Sequence, residues 1–465
     1  MSQSRKVEDE GPYLGMMLHK GRVKGRAHYP GEKGLFSLGA PGTGKTTSLV
    51  ISNVAHLPRS MLIIDPKGEI AAITARKRAK MGRVLMLNPF GLFEKELPHL
   101  KSHGFNAQAT LNPKDPATFV DEACAQAEAI IKMDNKNQSY FPEAARDAVA
   151  AFTMHARMTI GETANYLDVR KMLTAPTTYD GDDVAIGGFL KTLDDMSKCG
   201  YHPIANKIGN LIEQSNTKSG ITGGTRDVIA SATKGTRFLD SPPIALDMQG
   251  PAFDFADMRR EIITVYLILP TNQLVTHDIW LRLVINCALR ALYQPAPIDE
   301  PQNLPPVLFV LDEFAALGKL EVIETALGIC RGSRVQLWPF LQDLNQLRDV
   351  YGDARWSSFL SSAGAITSFA PKDWFTANEL SKLLGKKTEY IRSQNQNGRG
   401  DGGINDNPQA FPLMSPEDLM RMPPGQMVCL VEPSPFPFFT QALPYTKTPF
   451  DVDLDPNPYF RKRAA

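Results

Sequence analysis

A chain of 465 residues with 43% hydrophobic content can hold two or three packed domains and is expected to be globular over most of its length. Lys and Arg number 51 against 50 Asp and Glu, a formal charge of +1, so composition alone gives no sign of a nucleic-acid or membrane-surface partner. Any such surface has to be local or created by assembly.

The polar start, Met1 to Glu10, lacks the apolar core of a signal peptide, and no stretch reaches the roughly 20 apolar residues of a membrane helix. The five cysteines, Cys124, Cys199, Cys287, Cys330 and Cys429, are scattered and form no CxxC pair. A reducing cytoplasm is the simpler expectation than a disulfide framework or a thiolate metal site.

The first strong signal is Gly39-Ala40-Pro41-Gly42-Thr43-Gly44-Lys45-Thr46-Thr47, which fits GxxxxGK[ST] in full. It follows a strand-like Leu35 to Leu38 and opens a helix-like Thr47 to Ile51. Glycines in such a loop let successive N–H groups point at an anionic phosphate, and the helix adds its positive end. The pattern predicts a nucleoside triphosphate site in which Lys45 meets the β- and γ-phosphates and Thr46 holds Mg2+.

Ser60 to Ile64 reads as a buried strand ending in Asp65, followed by Pro66-Lys67-Gly68-Glu69. Asp65, Lys67 and Glu69 either face a ligand crevice at the carboxyl ends of the strands or cap the next helix; both readings stand. That helix, Ile70 to Ala79, ends in a charge run (Arg76, Lys77, Arg78, Lys80) whose commoner meaning is a solvated face and whose rarer one is a nucleic-acid contact. Arg83 to Leu87 is a third strand.

From about Pro116 the texture becomes alanine-rich and amphipathic, with helical segments at Thr118 to Met133, Phe141 to Met158, Val184 to Lys198 and Ile204 to Asn216. This predicts an all-α insertion over residues 119–235 between two parts of one α/β domain, 1–118 and 236–465. The sheet resumes with Ile262 to Leu269, a helix from about Asp278 to Tyr293, and a proline-rich linker.

Val307 to Leu311 is an apolar strand running into Asp312-Glu313. Downstream of an intact phosphate loop this predicts that Asp312 holds Mg2+ through water and that Glu313 orients and deprotonates the attacking water. The next strand, Val335 to Leu341, exits at Gln342, an amide placed to sense the γ-phosphate or its water. Gly364 to Phe369 and Met427 to Val431 are further strands, Asn378 to Leu384 a helix, and Ser393 to Asn407 a mobile loop by composition.

The phosphate loop, Ile64 to Glu69, the Leu87-Asn88-Pro89 turn, Phe141-Pro142-Glu143-Ala144-Ala145-Arg146, Leu311 to Phe314, Leu341 to Leu347 and Leu384 to Thr388 together resemble the type IV secretion coupling proteins, the conjugative DNA-transfer ATPases. The likeness runs from about Gly11 to about Thr446. It implies a RecA-like nucleotide-binding domain interrupted by an all-α, substrate-reading domain. It also implies a homo-oligomeric ring of six at the cytoplasmic mouth of a secretion channel, using ATP to pass on a relaxase bound to single-stranded DNA, or an effector protein. By position, Arg331 resembles the arginine that the family supplies across a subunit boundary to its neighbour's nucleotide; Arg334 is the rival, and an ordinary ion pair is the alternative for either.

Members usually begin with membrane-spanning helices. Their absence here leaves three explanations: a soluble branch that docks through partners, a membrane part on a separate polypeptide, or a trimmed sequence. The expectation is a cytoplasmic protein with no integral membrane segment, peripheral association with the inner membrane staying open. Two other functions compete with a transfer ATPase: a nucleotide-gated recruitment platform with little hydrolysis, and a translocase on double-stranded DNA.

Overall fold

A computed structural model describes residues 10–132, 140–180, 184–215, 223–295, 303–320, 322–326, 334–394, 404–448, 450 and 453–460. Its strands, in chain order, are β1 (Tyr13–His19), β2 (Arg22–His28), β3 (Leu35–Leu38), β4 (Met61–Ile64), β5 (Arg83–Leu87), β6 (Thr178–Tyr179), β7 (Ala185–Gly187) and β8 (Ile263–Leu267). They continue with β9 (Val307–Leu311), β10 (Val335–Leu341), β11 (Ala365–Phe369), β12 (Lys386–Gln394), β13 (Ile404–Pro412), β14 (Gln426–Val431) and β15 (Phe438–Gln441). With helices between the strands, this is the α/β class that the sequence predicts.

The chain falls into two compact units. The first comprises Met1–Pro58, Leu308–Ala315 and Val335–Leu454. Its strands run in the order β2-β1-β15-β14-β11-β3-β10-β9. β3 is parallel to both neighbours, with Thr367 opposite Ser37 on one side and Leu341 opposite Leu38 on the other. These strands are buried on both faces, which is why they read as continuous apolar runs. Polar groups inside the sheet are paired: Ser37 Oγ lies 2.6 Å from Thr367 Oγ1 and accepts the Trp338 Nε1–H at 2.8 Å.

β14, β15, β1 and β2 extend this sheet antiparallel. β1 and β2 form a hairpin closed by Lys20 and Gly21, both at positive φ (51° and 72°), a two-residue turn that matches strand twist. β12 and β13 make a separate antiparallel ladder from Lys386–Pro412 to Gln394–Ile404. The loop expected over Ser393 to Asn407 is corrected at both ends, where Ser393 pairs with Asn405 and Ile391 with Asn407; residues 395–403 lie outside the described residues. Polar side chains suit these strands because, from Lys386 to Ile391, every residue is exposed.

The second unit comprises Arg59–Val307, Ala316–Arg334 and Asp455–Ala465. It holds a parallel β4-β8-β5 sheet, with Leu62 and Leu85 both opposite Val265. In it the helix Tyr140–Thr159 packs against Phe119–Ile130, His202–Ser215 and Gly223–Gly235. Its buried face is largely alanine, with Ala145, Ala148, Val149, Phe152 and Ala156 at 1% exposure or less, which lets the helices approach closely.

Three local readings change here. Val184 to Lys198 is not one helix: Ala185–Gly187 pairs with Thr178–Tyr179, and the helix starts at Gly188, whose φ of +76° breaks the preceding run. The helix at Asp278 begins earlier, at Thr271, and has a non-helical residue at His277. Arg78 belongs to no solvated face. It is fully buried, donating from Nε to Thr264 Oγ1 at 2.7 Å and from Nη2 to the Arg59 carbonyl at 2.5 Å. Burial brings its pKa down to about 10. Among the described residues, no helix is long and apolar enough to cross a membrane.

Candidate functional site

β3 sits between β10 and β11, so its carboxyl end opens into the middle of a parallel set, where chain ends diverge and leave a crevice. The phosphate loop starts there, and the Gly39 N–H still donates to the Leu341 carbonyl of β10 at 3.0 Å. Gly42 and Gly44 have φ of +77° and +95°, a region open to glycine. Gly39 is required for a different reason: a Cβ there would lie 2.7 Å from Thr43 Oγ1 and 2.8 Å from the Phe369 ring. Thr43 closes the loop on itself, its hydroxyl donating to the Ala40 carbonyl at 2.8 Å. Pro41, at the exposed tip, removes a competing N–H without disturbing this turn.

After Gly44 the chain winds a π-helical turn, Lys45–Val50, and then the α-helix Ile51–His56. The Lys45 ammonium folds back over the loop, donating to the Gly39 carbonyl and, at 3.3 Å, to that of Leu341. The Thr47 hydroxyl donates to the Gly44 carbonyl at 3.3 Å.

The acid strand β9 delivers Asp312 to the same place, where Asp312 Oδ2 accepts the Thr46 hydroxyl at 3.1 Å. Asp312 is 8% exposed, and burial, then the neighbouring Glu313 charge, push its pKa up to about 6 against the pull of Thr46 and Lys45. A buried carboxylate with a second carboxylate beside it favours a cation. Among the described residues, no group of three or more His, Cys, Asp and Glu could hold a metal by itself. A hydroxyl and one carboxylate instead suit Mg2+, a hard ion that keeps water and takes phosphate oxygens. The donor set therefore fits Mg2+ with Thr46 and Asp312 as its protein groups.

Glu313 has a φ of +54°, a left-handed conformation rarely taken by a residue with a Cβ. That turn sends its side chain toward Gln342, whose Nε2 lies 3.5 Å from Glu313 Oε2, a long approach and a weak bond. Gln342 is fixed from behind, because its N–H donates to Gln346 Oε1 at 3.0 Å while Asp343 caps the helix Leu344–Tyr351. Gln346 is a positioning group that the motif pattern does not single out; its spacing of four from Gln342 is the available signal.

Lys45, Thr46, Asp312, Glu313 and Gln342 thus converge within the first unit. Arg331 lies outside the described residues. Arg334, in the second unit, donates from Nη2 to the Leu304 carbonyl, so its guanidinium is held by its own chain. Asp65 takes the capping reading: its Oδ2 accepts the Ala71 N–H at 2.8 Å at the start of the helix Glu69–Ala79. Glu69 accepts from Asn457, and the Lys67 carbonyl accepts the Tyr459 hydroxyl at 2.8 Å. Cys124, Cys199, Cys287 and Cys429 are free thiols; Cys330 lies outside the described residues.

A model of the family described as type IV secretory system conjugative DNA transfer matches residues 15–457. Among curated proteins, the chain is 26% identical over 399 residues to the protein VirD4 of Agrobacterium fabrum, covering 84% of this chain and 56% of that one. The chain spans about half the length of the curated relatives it matches. Among solved structures, it resembles the unbound form of the bacterial conjugative coupling protein TrwBdeltaN70 with a TM-score of 0.65 at 13% identity, over 94% of this chain and 91% of that one. The plasmid coupling protein TrwB in complex with ADP and Mg2+ matches with a TM-score of 0.60 at 13% identity, over 92% and 87%. The fold is that of a RecA-like P-loop protein with an all-α domain.

Proposed function

Because the chain belongs to the family of type IV secretory system conjugative DNA-transfer proteins, we propose that it is a Mg2+-dependent P-loop ATPase that couples substrates to a secretion channel. The single observation that carries the enzymatic part is the hydrogen bond from Thr46 to Asp312, which joins the phosphate loop to the acid strand. A recruitment platform with little hydrolysis would need the first motif; it would have no use for Glu313 aimed at the same crevice.

In this reading the loop N–H groups from Gly39 to Thr47 and the Lys45 ammonium bind the β- and γ-phosphates. Thr46 and, through water, Asp312 would hold Mg2+, which would supply positive charge beside those oxygens. Glu313 accepts a proton from the attacking water, and Gln342 holds that water in line with the γ-phosphorus. Arg331 of a neighbouring copy supplies positive charge to the transferring phosphoryl group.

The finer reading is a six-membered ring facing the channel from the cytoplasmic side, with peripheral contact to the inner membrane. Its substrates are a relaxase carrying single-stranded DNA, or an effector protein, with double-stranded DNA as a second nucleic-acid contact. Residues 119–235 form the domain that reads the substrate, and 1–118 and 236–465 together form the motor. Support comes from the family match and from the helix-rich composition of that segment.

The test is the ATPase rate of the purified chain with single-stranded DNA, double-stranded DNA or neither, alongside its mass in solution. A rate stimulated by DNA and lost in Glu313→Gln supports the transfer ATPase. Tight nucleotide binding with negligible turnover under all three conditions would leave only the platform. Stimulation by double-stranded DNA alone would favour a translocase.

A further inference from the structure

The hairpin of β1 and β2 leaves the core of the first unit as it runs outward. Tyr13, Leu14 and Gly15 are buried where β1 begins, whereas Met17 and every residue from His19 to Lys24 are exposed. β15 supports β1 at Met16, Met17 and Leu18, and the turn at Lys20-Gly21 lies past those pairings. β2 ends the strand order of the unit, with no further strand beside it among the described residues. Residues 11–31 contain Lys20, Arg22, Lys24 and Arg26 and no Asp or Glu, in a chain whose formal charge is +1. The hairpin is therefore a local excess of positive charge that the overall composition hides.

Among the described residues, the side chains of Lys20, Arg22 and Lys24 make no hydrogen bond, ion pair or ring contact. Arg26 lies over the Phe450 ring at 5.4 Å, which holds the guanidinium without neutralising it. Glu10, the acid before this stretch, pairs with His28 at 3.2 Å, at the end of the hairpin away from the turn. Cations on an edge strand can serve merely to deter pairing with other chains. A bulge already does that here, because Met17 pairs with Gly25 and Leu18 with Val23, leaving Lys24 as an extra residue. Two apolar side chains lie among the cations, Val23 at 55% exposure and Met17 at 37%. From Met16 to Arg26 there is no Asn, Gln, Ser, Thr, Phe, Tyr or Trp, the groups that read bases or stack on them. Cations beside exposed aliphatic groups suit instead a surface that is anionic at its face and apolar just beneath.

We propose that the β1–β2 hairpin is a membrane-surface contact, with Lys20, Arg22 and Lys24 on the headgroups of an anionic bilayer and Val23 at the boundary between headgroups and acyl chains. This gives the peripheral membrane contact of the proposed function a surface; it rests on that part of the reading and is independent of hydrolysis. Each Lys or Arg held near an anionic surface strengthens binding about fivefold, so the three together contribute on the order of a hundredfold. Attraction of this kind fades within a Debye length, which makes the contact reversible and sensitive to salt. Val23 adds a smaller, salt-independent part.

The experiment measures co-sedimentation of the full chain, and of Lys45→Ala, with vesicles of phosphatidylcholine alone and of phosphatidylcholine with phosphatidylglycerol. Both proteins should bind the phosphatidylglycerol vesicles at low salt, release them at high salt and ignore phosphatidylcholine alone. Lys20→Gln, Arg22→Gln and Lys24→Gln combined should weaken binding on the order of a hundredfold, Arg22→Gln alone about fivefold and Val23→Ser about threefold. Lys101→Gln, Lys114→Gln and Lys171→Gln combined remove the same charge from exposed positions of the second unit and should leave binding unchanged. Melting temperature checks the fold, and the hairpin triple variant should not lower it, since its three side chains bond nothing among the described residues. Vesicle binding untouched in the hairpin triple would overturn the hairpin while the peripheral contact stood; no binding that depends on phosphatidylglycerol would overturn both. An equal loss in the control triple would reduce the effect to net charge and sink the site. An oligonucleotide, single- or double-stranded, whose binding falls in the hairpin triple while vesicle binding does not would overturn lipid as the occupant. A chain that binds vesicles through the hairpin and hydrolyses no ATP would support the contact and count against the ATPase reading alone.

Discussion

The Thr46 hydroxyl donates to Asp312 Oδ2 at 3.1 Å, joining side chains 266 positions apart in the chain. Removing the hydroxyl takes away the proposed Mg2+ ligand and the partner of a buried carboxylate together. Thr46→Ala should therefore raise the Mg2+ concentration for half-maximal hydrolysis about ten- to a hundredfold, and Thr46→Ser should restore most of it. Equal Mg2+ dependence in Thr46→Ala and the parent would remove Thr46 from the metal site.

Asp312 gives a pH prediction with a definite sign. Its folded pKa, pushed up to about 6 by burial and Glu313, exceeds that of an unfolded aspartate, so the folded state binds the extra proton. Stability without Mg2+ accordingly falls as pH rises from about 4 to about 6 and stays low above, at a cost on the order of a few kcal/mol. Asp312→Asn, which retains an acceptor for Thr46, should melt higher than the parent at pH 8 without Mg2+ and no higher at pH 4. Binding of Mg2+ and nucleotide should release a proton near pH 6, measurable as buffer-dependent heat.

Lys45→Ala deletes the phosphate counter-charge and should abolish nucleotide binding. Glu313→Gln should bind normally and turn over at least about a hundredfold more slowly, because it loses only the proposed base. Glutamine at the same positive φ carries the same backbone strain, so unchanged stability would make the loss a chemical one. Gln342→Ala should keep affinity and lose stimulation by DNA; basal and stimulated rates that drop in parallel would make Gln342 a positioner of water and no sensor.

Gly39→Ala places a methyl 2.7 Å from Thr43 Oγ1 and 2.8 Å from the Phe369 ring, so the loop must shift to accept it. Nucleotide affinity should fall at least about tenfold and the melting temperature should drop as well, since Gly39 and the Phe369 ring are both buried. Unaltered affinity would show that the loop re-forms around the methyl group.

Arg331→Ala should leave nucleotide binding intact and reduce hydrolysis on the order of a thousandfold, while Arg334→Ala should cost stability on the order of 1 kcal/mol through the Leu304 carbonyl and little rate. An arginine acting between copies permits complementation. Inactive Arg331→Ala mixed with inactive Lys45→Ala should regain activity at interfaces that pair an intact loop with an intact arginine. No recovery in rings shown by mass to be mixed would place Arg331 on its own subunit's nucleotide or on none.

The sequence by itself determined the elements whose cause is local. β3, β9, β10 and β11 are apolar runs because each is buried on both faces, and the phosphate loop is legible because its glycines and its Lys45-Thr46 pair are needed at fixed spacing. Tertiary structure alone decided what depends on distant partners. β2, β12 and β13 are polar, largely exposed strands with no period to detect, and are held by pairing with a neighbouring strand. Arg78 looks like part of a solvated charge run and turns inward because Thr264, remote in sequence, offers it an acceptor. Asp65 has two equally good local readings until its carboxylate meets the Ala71 N–H. Periodicity records whether a residue is buried, and it carries no record of what the residue is buried against.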